Sequence, residues 1–277
     1  MKRFVIVAVS IALTSPVGAD GPPPIDDMPG QTSDIQPVPT VGASAKKKSR
    51  SKSKSKPKSR SRRRVQPPSF DVTQTNAWKY GQMTAAECET EAKARNIPFT
   101  SEPTRGVLAG ARLTGPIKGV TFRTRLSDEK RATTPWEIAD CRLLLALDDF
   151  ADVLVAHDIV EVRHYSMHRV APESWPADKV GSQHFGAMAI DAAIFITKDG
   201  TKMDVNDDFY GRIGGKTCGP DAKPRKTTDA SLALRAILCE TVAKRIFNVI
   251  LTPNHNRAHR NHFHLDITAG AKWFVVD

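Results

Sequence analysis

The stretch Asn261-His262-Phe263-His264-Leu265-Asp266 decides how the globular part of this chain arranges its histidines. Side chains alternate between the two faces of a strand, so a strand here would place His262, His264 and Asp266 on one face. Phe263 and Leu265 would occupy the opposite face. A helix would instead separate the two histidines by about 200°. The strand predicts a polar face suited to metal binding or acid–base chemistry, although polar strand residues are also common without any site.

A second candidate group lies upstream, in Ser182-Gln183-His184-Phe185-Gly186-Ala187-Met188-Ala189-Ile190-Asp191. Taken alone, the histidine is as readily structural, and an aspartate that ends an apolar run is as readily a turn cap. Together with one histidine of the downstream His-x-His, however, His184 and Asp191 would supply two nitrogen ligands and one oxygen ligand. Three protein ligands leave a catalytic zinc with an open position for water. The two segments therefore predict a zinc site.

The N-terminal residues 1–19 are typical of an export signal. Lys2 and Arg3 precede an apolar run from Phe4 to Leu13, and Val17-Gly18-Ala19 offers small residues for cleavage. The apolar run is too short to span a bilayer. We therefore expect an exported protein, located in the periplasm or associated with the cell wall.

Residues 20–72 combine proline-rich sequence with a strongly basic block and contain few large apolar side chains. The block from Lys46 to Arg64 holds twelve Lys or Arg residues, and removing them from the formal charge of +11 leaves −1 for the rest of the chain. Such a segment cannot bury enough apolar surface to fold, so it is predicted to be a disordered tether. It would either attach to anionic wall polymers or a membrane surface, or serve as a solvated spacer. The export signal argues against specific nucleic-acid binding.

The four cysteines, Cys88, Cys141, Cys218 and Cys239, are an even number in a chain expected to leave the cytoplasm. This favours two structural disulfides over a zinc site, because no C-x₂-C pair is present. Four cysteines allow three connectivities. Proximity along the sequence alone favours Cys88 with Cys141 and Cys218 with Cys239.

Residues 73–277 have the composition of one α+β domain with a mostly antiparallel sheet and flanking helices. A capping box at Thr134–Glu137 predicts a helix that ends near His157, and apolar residues from Leu234 to Ile246 predict a second helix. Three segments are predicted strands: 159–165, 188–197 and 247–252. Asp207 and Asp208 are expected in a turn.

The two histidine segments resemble the extensin-like C-terminal domain of exported proteobacterial proteins. They are also similar to the zinc peptidases that include lysostaphin, the D-Ala-D-Ala metallopeptidases and the hedgehog fold, and His-x-x-His-Phe-His at 259–264 resembles the penicillin-insensitive murein endopeptidases. The similarity covers most of residues 85–268. It implies a hedgehog/D-Ala-D-Ala peptidase-like fold and Zn²⁺ as cofactor, with His184, Asp191 and His264 as metal ligands.

The same resemblance implies roles for four further residues. His262 and His259 would be catalytic, the first accepting the proton of a zinc-activated water and the second protonating the leaving amine. Ser182 would support the first ligand, and Arg169 would bind substrate. Asp266 is expected either to orient an imidazole or to be an exposed acid.

Two departures from the extensin-like pattern affect the expected activity. Arg163–Arg169 stands where those domains commonly read G-S-Y-S-C-R, so that Met167 replaces a cysteine and the arginine is displaced by one position, and Gln183 replaces an acid. The sequence therefore leaves two hypotheses. The first is a zinc D,D-endopeptidase or carboxypeptidase acting on peptidoglycan; the second is a non-catalytic wall-binding or structural protein.

Overall fold

The computed structural model describes residues 70–277. The predicted export signal and all but the last three residues of the predicted tether lie outside this range. The helices are α1 (Asn76–Gln82), α2 (Ala85–Ala94), α3 (Asp128–Arg131), α4 (Cys141–Ala156), α5 (Val205–Asp208) and α6 (Asp229–Lys244). No helix of the described part is long and apolar enough to cross a membrane.

Two sheets carry the fold. The smaller sheet has the order β1 (Phe99–Ser101), β2 (Gly110–Leu113), β4 (Ile138–Asp140). The seven-stranded sheet has the order β10 (Val275–Val276), β8 (Val249–Leu251), β9 (Phe263–Asp266), β6 (Ala189–Thr197), β5 (Ile159–His164), β3 (Thr121–Thr124), and β7 (Lys202–Asp204) pairs with β6. Only its outer pairs, β3 with β5 and β8 with β10, are parallel. The predicted α+β class is confirmed. The large sheet is mixed, and most of its strand pairs are antiparallel, as predicted.

Helix α4 forms the centre of the apolar core. Twelve of its sixteen residues are buried, and the helix contacts α1, α2, α6 and β5. A helix that is apolar on nearly every side is stable only when other elements surround it. Its Phe150 ring lies 6.5 Å from that of Phe122 and 5.7 Å from that of Phe247. Phe195 and Ile250, on the large sheet, belong to the same buried cluster. This layer supports the seven-stranded sheet from one side.

The predicted start of the first helix is wrong. Thr134 caps a single 3₁₀ turn, Pro135–Glu137, and its hydroxyl accepts from the backbone N–H of Trp136. The Glu137 carboxylate does not complete a capping box, because it accepts hydrogen bonds from Thr124 and Arg131 instead. Helix α4 begins after Asp140, whose carboxylate accepts from the backbone N–H of Arg142. The predicted end, at His157, is confirmed by that residue's position as the C-cap.

The other predicted elements are found close to their expected positions. Helix α6 carries Leu234 and Leu238 in the core but ends before Ile246, because Arg245 adopts a left-handed conformation with φ 55°. Strands β5, β6 and β8 lie within the three predicted strand segments. Asp207 and Asp208, expected in a turn, lie in the one-turn helix α5.

Both disulfides follow the pairing favoured by sequence proximity. Cys88 on α2 bonds to Cys141 at the start of α4, and Cys218 bonds to Cys239 on α6. The first bond ties α2 to the central helix. The second fixes the long segment between α5 and α6 to the helix that follows it.

Candidate metal centre

The centre is built on the pairing of β6 with β9. Asp191 on β6 lies directly opposite His264 on β9, so both side chains project from the same face of the sheet. Alternation along the chain places His262, immediately before β9, on that face as well. Phe263 and Leu265 are buried in the core on the other face. The arrangement expected from the sequence of this strand is therefore present.

His184 reaches the same point from a 3₁₀ turn at Gln183–Gly186. Residues at both ends of this turn, Gln183 and Ala187, have positive φ of 49° and 54°, and the turn leads directly into β6. The backbone N–H of Arg169 donates to the carbonyl of His184 at 2.9 Å, which fixes the turn to the segment after β5. His184 is thereby held over Asp191, seven residues later.

Three ligand atoms meet at this point. His184 Nε2 lies 3.0 Å from Asp191 Oδ1 and 3.2 Å from His264 Nδ1, and His264 Nδ1 lies 3.0 Å from Asp191 Oδ1. A zinc ion with bonds of about 2.0–2.1 Å in a tetrahedral site separates its ligand atoms by about 3.3 Å. All three side chains are buried. Within residues 70–277, His184, Asp191 and His264 are the side chains whose ligand atoms lie close enough together to hold a metal ion.

Hydrogen bonds on the far side of each ring fix the protons. His184 Nδ1 lies 3.2 Å from the carbonyl of Met167, and His264 Nε2 lies 2.9 Å from the Asp266 carboxylate. Since a carbonyl and a carboxylate can only accept, each of these nitrogens carries a proton. In the neutral imidazoles the inward nitrogens then have lone pairs, which face the Asp191 oxygen. Three electron-rich atoms without a proton between them require a cation, so the donor set fits a metal ion.

The pKa of His264 shows the same demand for positive charge. Burial lowers this pKa, but the hydrogen bonds and charges of Asp191 and Asp266 outweigh burial and raise it to about 9. Burial raises the pKa of Asp191, whereas the surrounding imidazoles of His184 and His262 hold it well below its ordinary value. Without a metal, a proton on His264 therefore takes the place of the cation.

The Asp191 carboxylate is held by groups from the segment after β5. Its second oxygen, Oδ2, accepts from Arg169 Nη2 at 2.8 Å and lies 3.5 Å from the Ser166 hydroxyl. These contacts direct Oδ1 towards the two histidines. Arg169, predicted to bind substrate, thus contacts a candidate metal ligand, and its side chain remains 29% exposed.

Ser182 does not make the contact expected of it. The group that accepts from His184 Nδ1 is the carbonyl of Met167, whereas Ser182 is exposed and its own carbonyl accepts from the backbone N–H of Gly186. Met167 replaces a cysteine of the extensin-like pattern, but a backbone carbonyl is the same in both residues. The altered side chain therefore leaves the support of His184 intact.

Two further histidines line the centre. His262 Nε2 lies 3.4 Å from Asp191 Oδ1, and its Nδ1 lies 2.9 Å from the amide oxygen of Asn261. His259, on the 3₁₀ turn Arg257–His259, donates from Nδ1 to Asn256 Oδ1 at 2.8 Å. The ring centres of His259 and His262 are 5.2 Å apart. Burial lowers the pKa of His262 to about 4 and that of His259 to about 3, so both rings are neutral at pH 7.

Several contacts of the centre have no local sequence signal. Asn256 and Asn261, which orient the two rings just described, lie in an irregular segment. His164 and His168 are buried beside the centre, and neither ring of the two has a hydrogen-bond partner in the described part of the protein. The concentration of histidines is itself visible in the sequence, but the partners of their rings depend on the fold.

Comparison with known proteins assigns the family. Residues 86–275 match the family described as extensin-like protein C-terminus. Neither the curated proteins nor the solved structures include a match to this chain. The matched range contains both histidine segments and both disulfides. This chain belongs to the extensin-like protein C-terminus family.

Proposed function

We propose that this protein is an exported zinc-dependent hydrolase of peptidoglycan that cleaves stem peptides or their cross-links, as a D,D-endopeptidase or carboxypeptidase. The observation that carries the proposal is the convergence of His184 Nε2, Asp191 Oδ1 and His264 Nδ1 within 3.2 Å of one another. Two nitrogens and one oxygen, with further imidazoles at the edge, are the donor set of a catalytic rather than a structural zinc site.

A zinc ion held by these residues would polarise the scissile carbonyl and make water a stronger acid. His262 supplies the base, because its Nδ1–H donates to the Asn261 amide oxygen and the Nε2 lone pair is left at the edge of the centre. Its low pKa keeps the ring unprotonated at neutral pH. The proton that His262 accepts is then passed to the leaving amine nitrogen, directly or through His259, whose ring centre lies 5.2 Å from that of His262. Arg169 and Ser166 keep the Asp191 oxygen directed at the centre.

Peptidoglycan is proposed as the substrate on two grounds that come from the sequence. The export signal would deliver the protein to the periplasm or cell wall, and the basic segment would hold it near anionic polymer or a membrane surface. The resemblance of 259–264 to murein endopeptidases points to the same class. These two grounds support the location of the protein and the class of its substrate. The metal centre supports hydrolysis as the reaction.

The test is the metal content of the purified mature protein, followed by release of fragments from purified peptidoglycan. Three proteins are compared: wild type, His264→Ala, and the matched control His157→Ala, whose ring pairs with Glu240 on α6 away from the centre. We expect one zinc per chain and fragment release in wild type and control, with both lost in His264→Ala.

Each other outcome has a definite meaning. A folded wild type without zinc would contradict the ligand assignment. Bound zinc with no fragments released from either cross-linked or uncross-linked peptidoglycan would favour the hypothesis of a non-catalytic wall-binding protein. Equal zinc content in wild type and His264→Ala would show that the metal binds elsewhere.

A further inference from the structure

The side chain of Tyr165 contacts both His262 and the residue before it. Its ring centre lies 5.7 Å from that of His262, and the two rings are almost perpendicular, at 86°. Its hydroxyl oxygen accepts from Asn261 Nδ2 at 3.1 Å. Tyr165 follows directly after β5, whereas Asn261 lies in the turn before β9. The hydrogen bond therefore joins two segments that are 96 residues apart in the chain.

Tyr165 is itself fixed to the strand that carries a candidate metal ligand. Its backbone N–H donates to the carbonyl of Asp191 at 3.0 Å, and the backbone N–H of Asp191 donates to the carbonyl of Ser166 at 3.1 Å. These two bonds continue the pairing of β5 with β6 beyond the irregular register at its end. A tyrosine is a rigid ring on two torsion angles, so a fixed backbone gives the half-buried side chain a defined position.

The Asn261 amide depends on this contact for its orientation. The oxygen of the amide accepts from His262 Nδ1 at 2.9 Å. Asn261 lies outside β9, and its side chain is half-buried, so strand pairing does not fix the amide. An amide held at its oxygen alone can still turn, whereas a second bond at its nitrogen fixes its plane. Tyr165 supplies that second bond.

The contacts form a closed ring that returns to the metal centre. The strand of Asp191 holds Tyr165, Tyr165 holds Asn261, and Asn261 holds His262, whose Nε2 lies 3.4 Å from Asp191 Oδ1. We propose that Tyr165 is a positioning residue for His262, acting through the amide of Asn261 to keep the Nε2 lone pair directed at the centre. The inference rests on the proposed function for the role of His262 and adds the residue that holds this imidazole in place.

The experiment compares Tyr165→Phe, Asn261→Ala and the double variant with a matched control, Tyr80→Phe. Tyr80 lies on α1, and its hydroxyl donates to Asp149 on α4 at 2.7 Å, so the control also loses one hydroxyl hydrogen bond. Zinc content, kcat and KM on purified peptidoglycan are measured for each protein. NMR gives the rate at which the Nδ1–H of His262 exchanges with water.

Tyr165→Phe should keep its zinc, with KM within about twofold of wild type. We expect its kcat to fall about fivefold and the exchange of the His262 Nδ1–H to quicken about fivefold, the factor that corresponds to one ordinary hydrogen bond. Tyr80→Phe should match wild type in all these measurements. An exchange rate unchanged by Tyr165→Phe would overturn the proposal.

The double variant tests whether Tyr165 acts through Asn261. If it does, adding Tyr165→Phe to Asn261→Ala changes neither kcat nor the exchange rate further. An equal loss of kcat in both backgrounds would overturn this route and indicate a separate role for the hydroxyl.

The exchange rate also separates this inference from the proposed function, because it is measured without substrate. A zinc-loaded wild type that releases no fragments would refute the hydrolase proposal. Faster exchange in Tyr165→Phe, with no further change in the Asn261→Ala background, would still support the positioning role.

Discussion

The proton bound by His264 should make the stability of the metal-free protein depend on pH. Its pKa is about 9 in the folded protein against an ordinary value of 6.5. A raised pKa means that the native state holds this proton more tightly than the unfolded chain, so its stabilising effect is complete below pH 6.5 and is lost as the pH rises through 9. The difference of about 2.5 pH units corresponds to about 3 kcal/mol. We therefore expect the free energy of unfolding in EDTA to fall by about this amount between pH 6.5 and 9.5.

The assay is urea unfolding in EDTA at a series of pH values, for wild type and His264→Gln. The variant is expected to be less stable at pH 6.5 because it leaves two buried carboxylates without their partner, so the comparison uses the change with pH and not the absolute value. Saturating zinc should abolish the wild-type decline, because the metal displaces the same proton. Equal pH dependence of the two proteins in EDTA would refute the assignment of the proton to His264.

Three other outcomes are expected. His262→Ala should keep its zinc, while its rate of peptidoglycan hydrolysis falls by about 10²- to 10⁴-fold. Loss of the metal from this variant would contradict a role confined to proton transfer. Burial lowers the pKa of His164 to about 4, so the unfolded chain takes up a proton at this residue before the folded protein does. Between pH 7.5 and 5 the wild type should therefore lose about 2 kcal/mol of unfolding free energy relative to His164→Leu. The same pH dependence in both proteins would show that His164 is not buried in its neutral form. The Cys88–Cys141 bond closes a loop of 53 residues and the Cys218–Cys239 bond a loop of 21. Replacing the first pair by alanine should therefore lower the free energy of unfolding by about 4 kcal/mol, and replacing the second by about 3 kcal/mol. A larger loss in urea unfolding for the second pair than for the first would refute the loop-entropy reasoning.

Features set by short-range patterns could be read from the sequence. Alternation along 261–266 placed His262, His264 and Asp266 on one face, and the structure has them there. Short separation favoured the two disulfides that are observed. Leu234 and Leu238 marked a helix whose buried stripe they occupy. In each case, the deciding interaction is local or concerns one face of one element.

Features decided by competition between distant partners could not be read in this way. Thr134 and Glu137 have the spacing of a capping box, but Glu137 satisfies Thr124 and Arg131 in the fold, and the helix starts later at Asp140. Arg105 contacts carbonyls 66 to 70 residues away. No periodicity or motif indicates which carbonyls a long side chain will reach, because the answer depends on the path of the chain.

The metal centre itself depends on register more than on residue type. Asp191 opposes His264 only in the observed pairing of β6 with β9, and a shift of one residue would turn the carboxylate to the core face. The buried Phe263 and Leu265 resist such a shift, since it would remove both side chains from the apolar core and place them against the polar centre. The apolar residues that alternate with the histidines therefore position the ligands as effectively as the hydrogen bonds do. An inserted residue in β9 should consequently abolish metal binding even if the sheet reforms around it.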